Sequence, residues 1–172
     1  MQKKVSNKFE ALPGQYSIRH ITGKQLKYYD LSRFTKTIYK NFIELSSEPK
    51  LKHNLKEINR LLTSNNTIGL FIFNGRKVIG YLIGEIIKLN DGRTVLYISY
   101  LYIAARYRCN GFGTILLNQY IDLAKKINMD AIVLICDTDN QRVLDFYLLK
   151  GFMYDIYLRR YDKYDVISLN LY

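Results

Sequence analysis

The chain has no tryptophan, and its 172 residues include only two cysteines, two histidines and two prolines. Cys109 and Cys136 are too few for a disulfide framework or a zinc site, so a reducing compartment, the cytoplasm, is expected. His20 and His53 stand apart without metal-ligand spacing, and no metal site is expected. Acidic residues are scarce, 15 against 26 basic ones, and the resulting charge of +11 favours anionic partners. Long apolar runs are also missing. Charges interrupt every run well before membrane-spanning length, so no transmembrane helix or membrane partner is expected. The opening segment MQKKVSNKFEALPG lacks the apolar centre of a signal peptide and is expected to be a flexible lead-in over 1–14. Residues 15–172 are long enough for one domain with one core.

The basic residues are scattered, with Lys50, Lys52, Lys56 and Arg60 in one segment and Lys125 and Lys126 in another. Scattered lysines suit a solvated surface, and a nucleic-acid footprint would need them on one face. Nucleic acid is therefore a possible but unfavoured partner. The sixteen tyrosines fall mostly at strand positions, where tyrosine is at home.

Tyr16–Ile21 reads as a first strand, broken by Thr22-Gly23. Leu31, Phe34, Ile38, Phe42 and Leu45 keep helical spacing to about Ser46. Glu48-Pro49 suits the start of a second helix, with Leu51, Leu55, Ile58 and Leu62 as its buried stripe. Asn74-Gly75, between apolar runs at 68–73 and 77–88, predicts a hairpin whose two turn positions both take positive φ. Asn90-Asp91-Gly92 turns the chain into a third strand from Thr94. Later come a helix, a strand at 131–136, a helix through Tyr147 closed by Lys150-Gly151, and a terminal hairpin of 152–161 with 166–172. The class is α+β with a mixed sheet.

The central stretch is Thr94–Asn128. A strand rich in Tyr, Ile and Leu leads to a basic, glycine-spaced turn, Arg108-Cys109-Asn110-Gly111-Phe112-Gly113, and then to a helix with Leu116, Tyr120, Leu123 and Ile127 on one face. Glycines let the backbone approach closely, and the free N–H groups opening a helix point into the turn, so the unit is an anion cradle. Arg108 adds a charge suited to a phosphate oxygen. Gly113 is followed by Thr114 and Ile115, without the lysine of a Walker loop. Position 116 is leucine, without the third glycine of a dinucleotide fingerprint.

What remains, Arg-x-x-Gly-x-Gly, resembles the pyrophosphate loop of the GNAT acyl-CoA N-acyltransferase superfamily. A second stretch, Asn140-Gln-Arg-Val143-Leu-Asp-Phe146-Tyr147-Leu-Leu-Lys-Gly151-Phe152, resembles that family's Asn-x-x-Ala-x-x-Phe-Tyr-x-x-x-Gly-Phe element, with Val143 at the usual alanine. The two motifs occur in the family's order with a strand between them. The resemblance implies a mixed, mostly antiparallel sheet of about six to seven strands flanked by about four helices. Splayed central strands would open a slot for acetyl-CoA as co-substrate, and the expected assembly is a monomer or homodimer.

By this resemblance Arg108, Cys109, Asn110, Gly111, Phe112, Gly113 and Thr114 hold the pyrophosphate. Leu101, Tyr102 and Ile103 pair with the pantetheine amides, and an N–H near Tyr102 or Ile103 donates to the thioester oxygen. A fixed donor of this kind is worth ~3 kcal/mol in a dry site. Asn140 either bonds the cofactor arm or caps its helix. Tyr147 is the expected general acid, assisting the departing thiolate. Relatives often carry a glutamate where this chain has Ser99. Glu85 on the neighbouring strand is the nearest carboxylate by topology and the tentative base; Asp137 is another, and a neutral amine would need neither. Cys109, in the exposed-looking loop, reads as a small neutral residue rather than a nucleophile.

The activity expected is N-acetyl transfer to an amine of a protein or small molecule by direct attack in a ternary complex. Two rivals stand beside it. An acetyltransferase of aminoacylated tRNA would draw on the positive charge, and a non-catalytic acyl-CoA-binding module would keep the loop without the chemistry.

Overall fold

The computed structural model describes residues 14–26, 30–45, 54–137, 140–158 and 164–172. The lead-in over residues 1–13, the helix start at Pro49 and the stripe residue Leu51 lie outside these. Seven strands form one sheet. They are β1 (Tyr16–Thr22), β2 (Thr67–Asn74), β3 (Lys77–Lys88), β4 (Thr94–Ile103), β5 (Ala131–Asp137), β6 (Met153–Tyr154) and β7 (Tyr164–Asn170), in the order β1-β2-β3-β4-β5-β7-β6. Only the β4–β5 pair is parallel. The helices are α1 (Gly23–Leu26), α2 (Leu31–Leu45), α3 (Leu55–Thr63), α4 (Phe112–Lys126) and α5 (Gln141–Leu148). The architecture is the mixed, mostly antiparallel α+β sheet that the sequence implies.

One face of the sheet packs α4 and α5. Leu82, Leu96 and Ile98 meet Leu116, Leu117, Tyr120, Leu144 and Tyr147 there. The other face packs α2 and α3, through Ile38, Ile58, Leu61 and Leu62 against Phe71, Tyr81, Ile83 and Tyr100. Strand β4 therefore serves both cores, and a register shift explains how. Ile83 pairs with Tyr100 but Gly84 pairs with Ile98, leaving Ser99 as an extra residue in β4. A bulge of this kind flips the alternation of side chains. Leu96 and Ile98 face α4, whereas Tyr100 and Tyr102 after the bulge face α2. Gly84 is required at this point, because an added Cβ would overlap the Tyr97 carbonyl and the Tyr120 hydroxyl.

Three expectations need correction. The turn after β2 is Gly75-Arg76, since Asn74 still pairs with Lys77; of the two loop residues only Gly75 has positive φ, at 57°. Helix α3 opens on a capping box at Asn54. The Asn54 side chain accepts from the Glu57 N–H and the Glu57 carboxylate accepts from the Asn54 N–H, which satisfies two donors of the first turn. Leu55 is accordingly 43% exposed, and Leu61 replaces it in the buried stripe. The terminal hairpin shrinks to Met153–Tyr154 against β7: Asp155 N–H still bonds the Val166 carbonyl, and the chain turns at Ile156-Tyr157.

Candidate functional site

Parallel pairing between β4 and β5 lasts only from Val95 to Tyr97, opposite Ala131 to Val133. Beyond that point β5 continues against β7, while the β5-facing edge of β4 has no strand partner among the described residues. The strands part into a slot of about 230 Å³. Its walls are Ile98–Tyr102 on one side and Leu134–Asp137 on the other, with Phe42 of α2 and Tyr147 of α5 closing it. A strand edge of this kind offers N–H and C=O groups with which an extended chain of amides can pair.

At the end of β4 the backbone passes through a short 3₁₀ turn, Ala105–Tyr107, into the glycine turn. Cys109 and Gly111 both take left-handed conformations, with φ of 61° and 78°. The helix-capping bond runs from Ile115 N–H to the Gly111 carbonyl, so the N–H groups of the first turn, Phe112 to Thr114, precede any intrahelical partner. A second cavity of about 250 Å³ lies over this turn, lined by Ile103, Gly113, Thr114, Arg142 and Phe146 among others. A Cβ added at Gly113 would come no closer than 3.8 Å to Phe146. The space above these amides is thus open to an anion, and the helix dipole favours one there.

The structure redistributes the charges assigned from sequence. Arg108 lines this cavity, but its guanidinium is already engaged: Nε donates to the Ile103 carbonyl at 2.8 Å and Nη2 to Glu44 of α2 at 3.3 Å. It ties the end of β4 to α2. A second cation over the cradle is Arg142, whose Nη2 donates to the Cys109 sulfur at 2.9 Å. Sequence reasoning missed it, although Arg142 lies four residues before Phe146 and hence shares its helical face.

Asn140, Val143 and Tyr147 all line the slot. Asn140 is the N-cap of α5, its side-chain oxygen accepting from the Val143 N–H at 3.3 Å, which leaves the amide NH₂ for other partners. Tyr147 is 5% exposed and packs edge-on between Phe146 and Phe152, at 5.1 and 5.4 Å. Burial pushes its pKa well above that of an ordinary phenol, so it keeps its proton. Cys136, also on the wall, is pushed up to about 11 by burial and by the nearby Asp137 and Asp165 carboxylates. It is a thiol at neutral pH, and so a poor nucleophile.

Glu85 is not brought to the slot wall. It receives both arms of the Arg60 guanidinium, at 2.9 and 3.4 Å, and fastens α3 to β3. Asp137 is the carboxylate that lines the slot among the described residues, and Ser99 and Tyr100 lie on the opposite wall. No group of three or more metal-ligating side chains occurs among the described residues, nor is any described helix long and apolar enough to cross a membrane.

A parted β4–β5 pair leading to an anion cradle at a helix N-terminus suits an extended ligand that carries phosphate. The model of the acetyltransferase (GNAT) family matches residues 31–152. The chain belongs to the GNAT acetyltransferase family. It is thereby an acyltransferase with acetyl-CoA as co-substrate. No curated protein matches the chain.

Solved structures share its fold. One is an Arabidopsis thaliana protein in complex with acetyl-CoA, 13% identical at TM-score 0.66, covering 91% of this chain and 98% of that one. Another Arabidopsis thaliana protein, in complex with the bisubstrate analogue CoA-Ac-MVNAL, is 22% identical at TM-score 0.64, with coverage of 91% and 99%. A third is an aminoglycoside acetyltransferase from an uncultured soil metagenomic sample, 16% identical at TM-score 0.62, with coverage of 86% and 95%. The residues present fit acetyl-CoA: an open cradle of first-turn helix amides, with Arg108 and Arg142 beside it, and a β4 edge that β5 leaves after Tyr97.

Proposed function

We propose that the chain is an N-acetyltransferase that moves an acetyl group directly from acetyl-CoA to an amine held in the slot. The observation that carries this reading is Tyr147, a protonated phenol that lines the slot leading from the anion cradle. Acetyl-CoA supplies an acyl group already activated as a thioester. The amides of Phe112, Gly113 and Thr114, with Arg142, hold the diphosphate. The free edge of Leu101–Ile103 aligns the pantetheine arm and offers an N–H to the thioester oxygen as negative charge builds there, and Asn140 directs its amide NH₂ to the same arm.

Tyr147 donates a hydrogen bond to the departing sulfur. Full proton transfer from a phenol to a thiolate is uphill on solution values of ~10 and ~8.5, and burial steepens the climb. The hydroxyl therefore acts as a donor that strengthens while charge develops on sulfur. Asp137, rather than Glu85, is the proton acceptor for an amine that arrives charged, because Asp137 stands on the slot wall and Glu85 does not. Similar folds act on quite different amines, to judge from the aminoglycoside enzyme and the peptide-like analogue CoA-Ac-MVNAL.

The test is thiol release from acetyl-CoA across a panel of peptide amides, aminoglycosides and aminoacylated tRNA. Release that depends on a primary amine supports the reading. If CoA raises the melting temperature while no amine provokes release, the protein is a binding module and the reading fails.

A further inference from the structure

A third cavity, of about 460 Å³, lies beneath the first half of α2. It is larger than the slot, and Tyr81 and Tyr102 line both. Their rings stack at 5.4 Å with 25° between planes, forming one flat wall shared by the two spaces. Most of the remaining lining is apolar, with Leu26, Phe34, Phe71, Phe73, Val78 and Ile79, and Thr37 and Asn41 of α2 join it. Among the described residues the ionic groups on its rim are Asp30 and Arg33, of opposite sign, with the Arg33 backbone N–H donating to the Asp30 carboxylate at 3.1 Å. The Tyr81 hydroxyl is occupied by the Asn41 amide at 3.2 Å.

We propose that this cavity takes an apolar substituent of the acceptor, so that the enzyme selects primary amines bearing a bulky alkyl or aryl group. The inference rests on the acetyl-transfer reading above and specifies its acceptor. A polar or polycationic molecule would lose water here without gaining partners, since the rim pair sums to zero charge and the floor is hydrocarbon. An apolar group gains burial at every wall. The shared Tyr81–Tyr102 wall lets such a group lie under α2 while its amine reaches the slot beside Leu101.

The same chemistry could come from a free amine or from the first residue of a peptide, so both are tested. The kcat/KM of phenylalaninamide is compared with that of glycinamide, and that of a Phe-led tetrapeptide with its Gly-led counterpart. Calorimetric binding of phenylalaninamide to the CoA-loaded protein is measured in parallel. Thr37→Trp fills the cavity from α2 and Val78→Trp from β3, so that misfolding of one leaves the other; CoA-induced thermal stabilisation checks the fold.

The expected preference for the apolar acceptor is about 30-fold, falling below about threefold in either variant. A preference in both pairs assigns the side chain alone, and one confined to tetrapeptides assigns a peptide source. Equal rates on all amines, or a preference unchanged in the folded variants, overturns the cavity proposal while acetyl transfer stands. If no amine is acetylated yet phenylalaninamide binds the parent about tenfold tighter than Thr37→Trp, the cavity stands and acetyl transfer falls. Neither turnover nor binding overturns both.

Discussion

Tyr147 and Arg142 sit on one short helix, and the proposed mechanism gives them separate tasks. Tyr147→Phe removes a single oxygen from a packed ring, so folding and acetyl-CoA affinity should hold while kcat falls about 100-fold. Steady-state kinetics check this; a loss confined to KM for acetyl-CoA would deny the phenol its part at sulfur. Because burial raises its pKa, Tyr147 stays protonated through neutral pH. A rate profile to pH ~10 should then show no falling limb that Tyr147→Phe removes. Arg142→Ala should weaken CoA about tenfold with kcat little changed, since a charge-assisted contact to phosphate is worth ~1.5–3 kcal/mol. Titration calorimetry at two salt concentrations checks it, and the deficit should shrink as salt rises.

At the scale of elements, the two motif-bearing segments were legible because their chemistry is local. Gly111 announces a left-handed turn, Asn140 a helix cap, and Gly151 a helix stop: the last takes φ of 88°, with bonds from Gly151 N–H to the Leu148 carbonyl and from Phe152 N–H to that of Tyr147. Features that depend on partners far along the chain were not legible. The bulge at Ser99 arises from pairing with β3, the diversion of Arg108 from Glu44 on α2, and the commitment of Glu85 from Arg60 on α3. The start of α3 stands between these cases, because Asn54 and Glu57 have capping-box spacing but Pro49 offered a competing signal. Asn54→Ala should destabilise the protein by ~1 kcal/mol, visible as a lowered urea midpoint with an unchanged slope.

On the scale of the whole molecule, one buried ion pair links the strand entering the slot with the far edge of the sheet. Arg93 donates to both oxygens of Asp155, at 2.9 and 3.1 Å, and the Asp155 side chain is 1% exposed. Burial alone would raise the Asp155 pKa, but hydrogen bonds from Arg93, Ser168 and the Tyr157 N–H outweigh it and hold the carboxyl below its ordinary value. A depressed pKa contributes stability above the unfolded value, ~3.9, and that contribution disappears as pH falls through the folded value. Asp155→Asn should therefore melt several degrees below the parent at pH 7, a loss of about 2 kcal/mol. The two melting curves should converge as the pH drops below the carboxylate range, and a gap that widens in acid would contradict the assignment.

All three scales meet in the placement of the co-substrate, and a crystal structure of the protein with CoA tests it most directly. The account predicts diphosphate oxygens within hydrogen-bond distance of the Gly113 and Thr114 amides and of Arg142, with the sulfur beside the Tyr147 hydroxyl. Diphosphate bound away from the start of α4, or a sulfur on the α2 side out of reach of Tyr147, would contradict it.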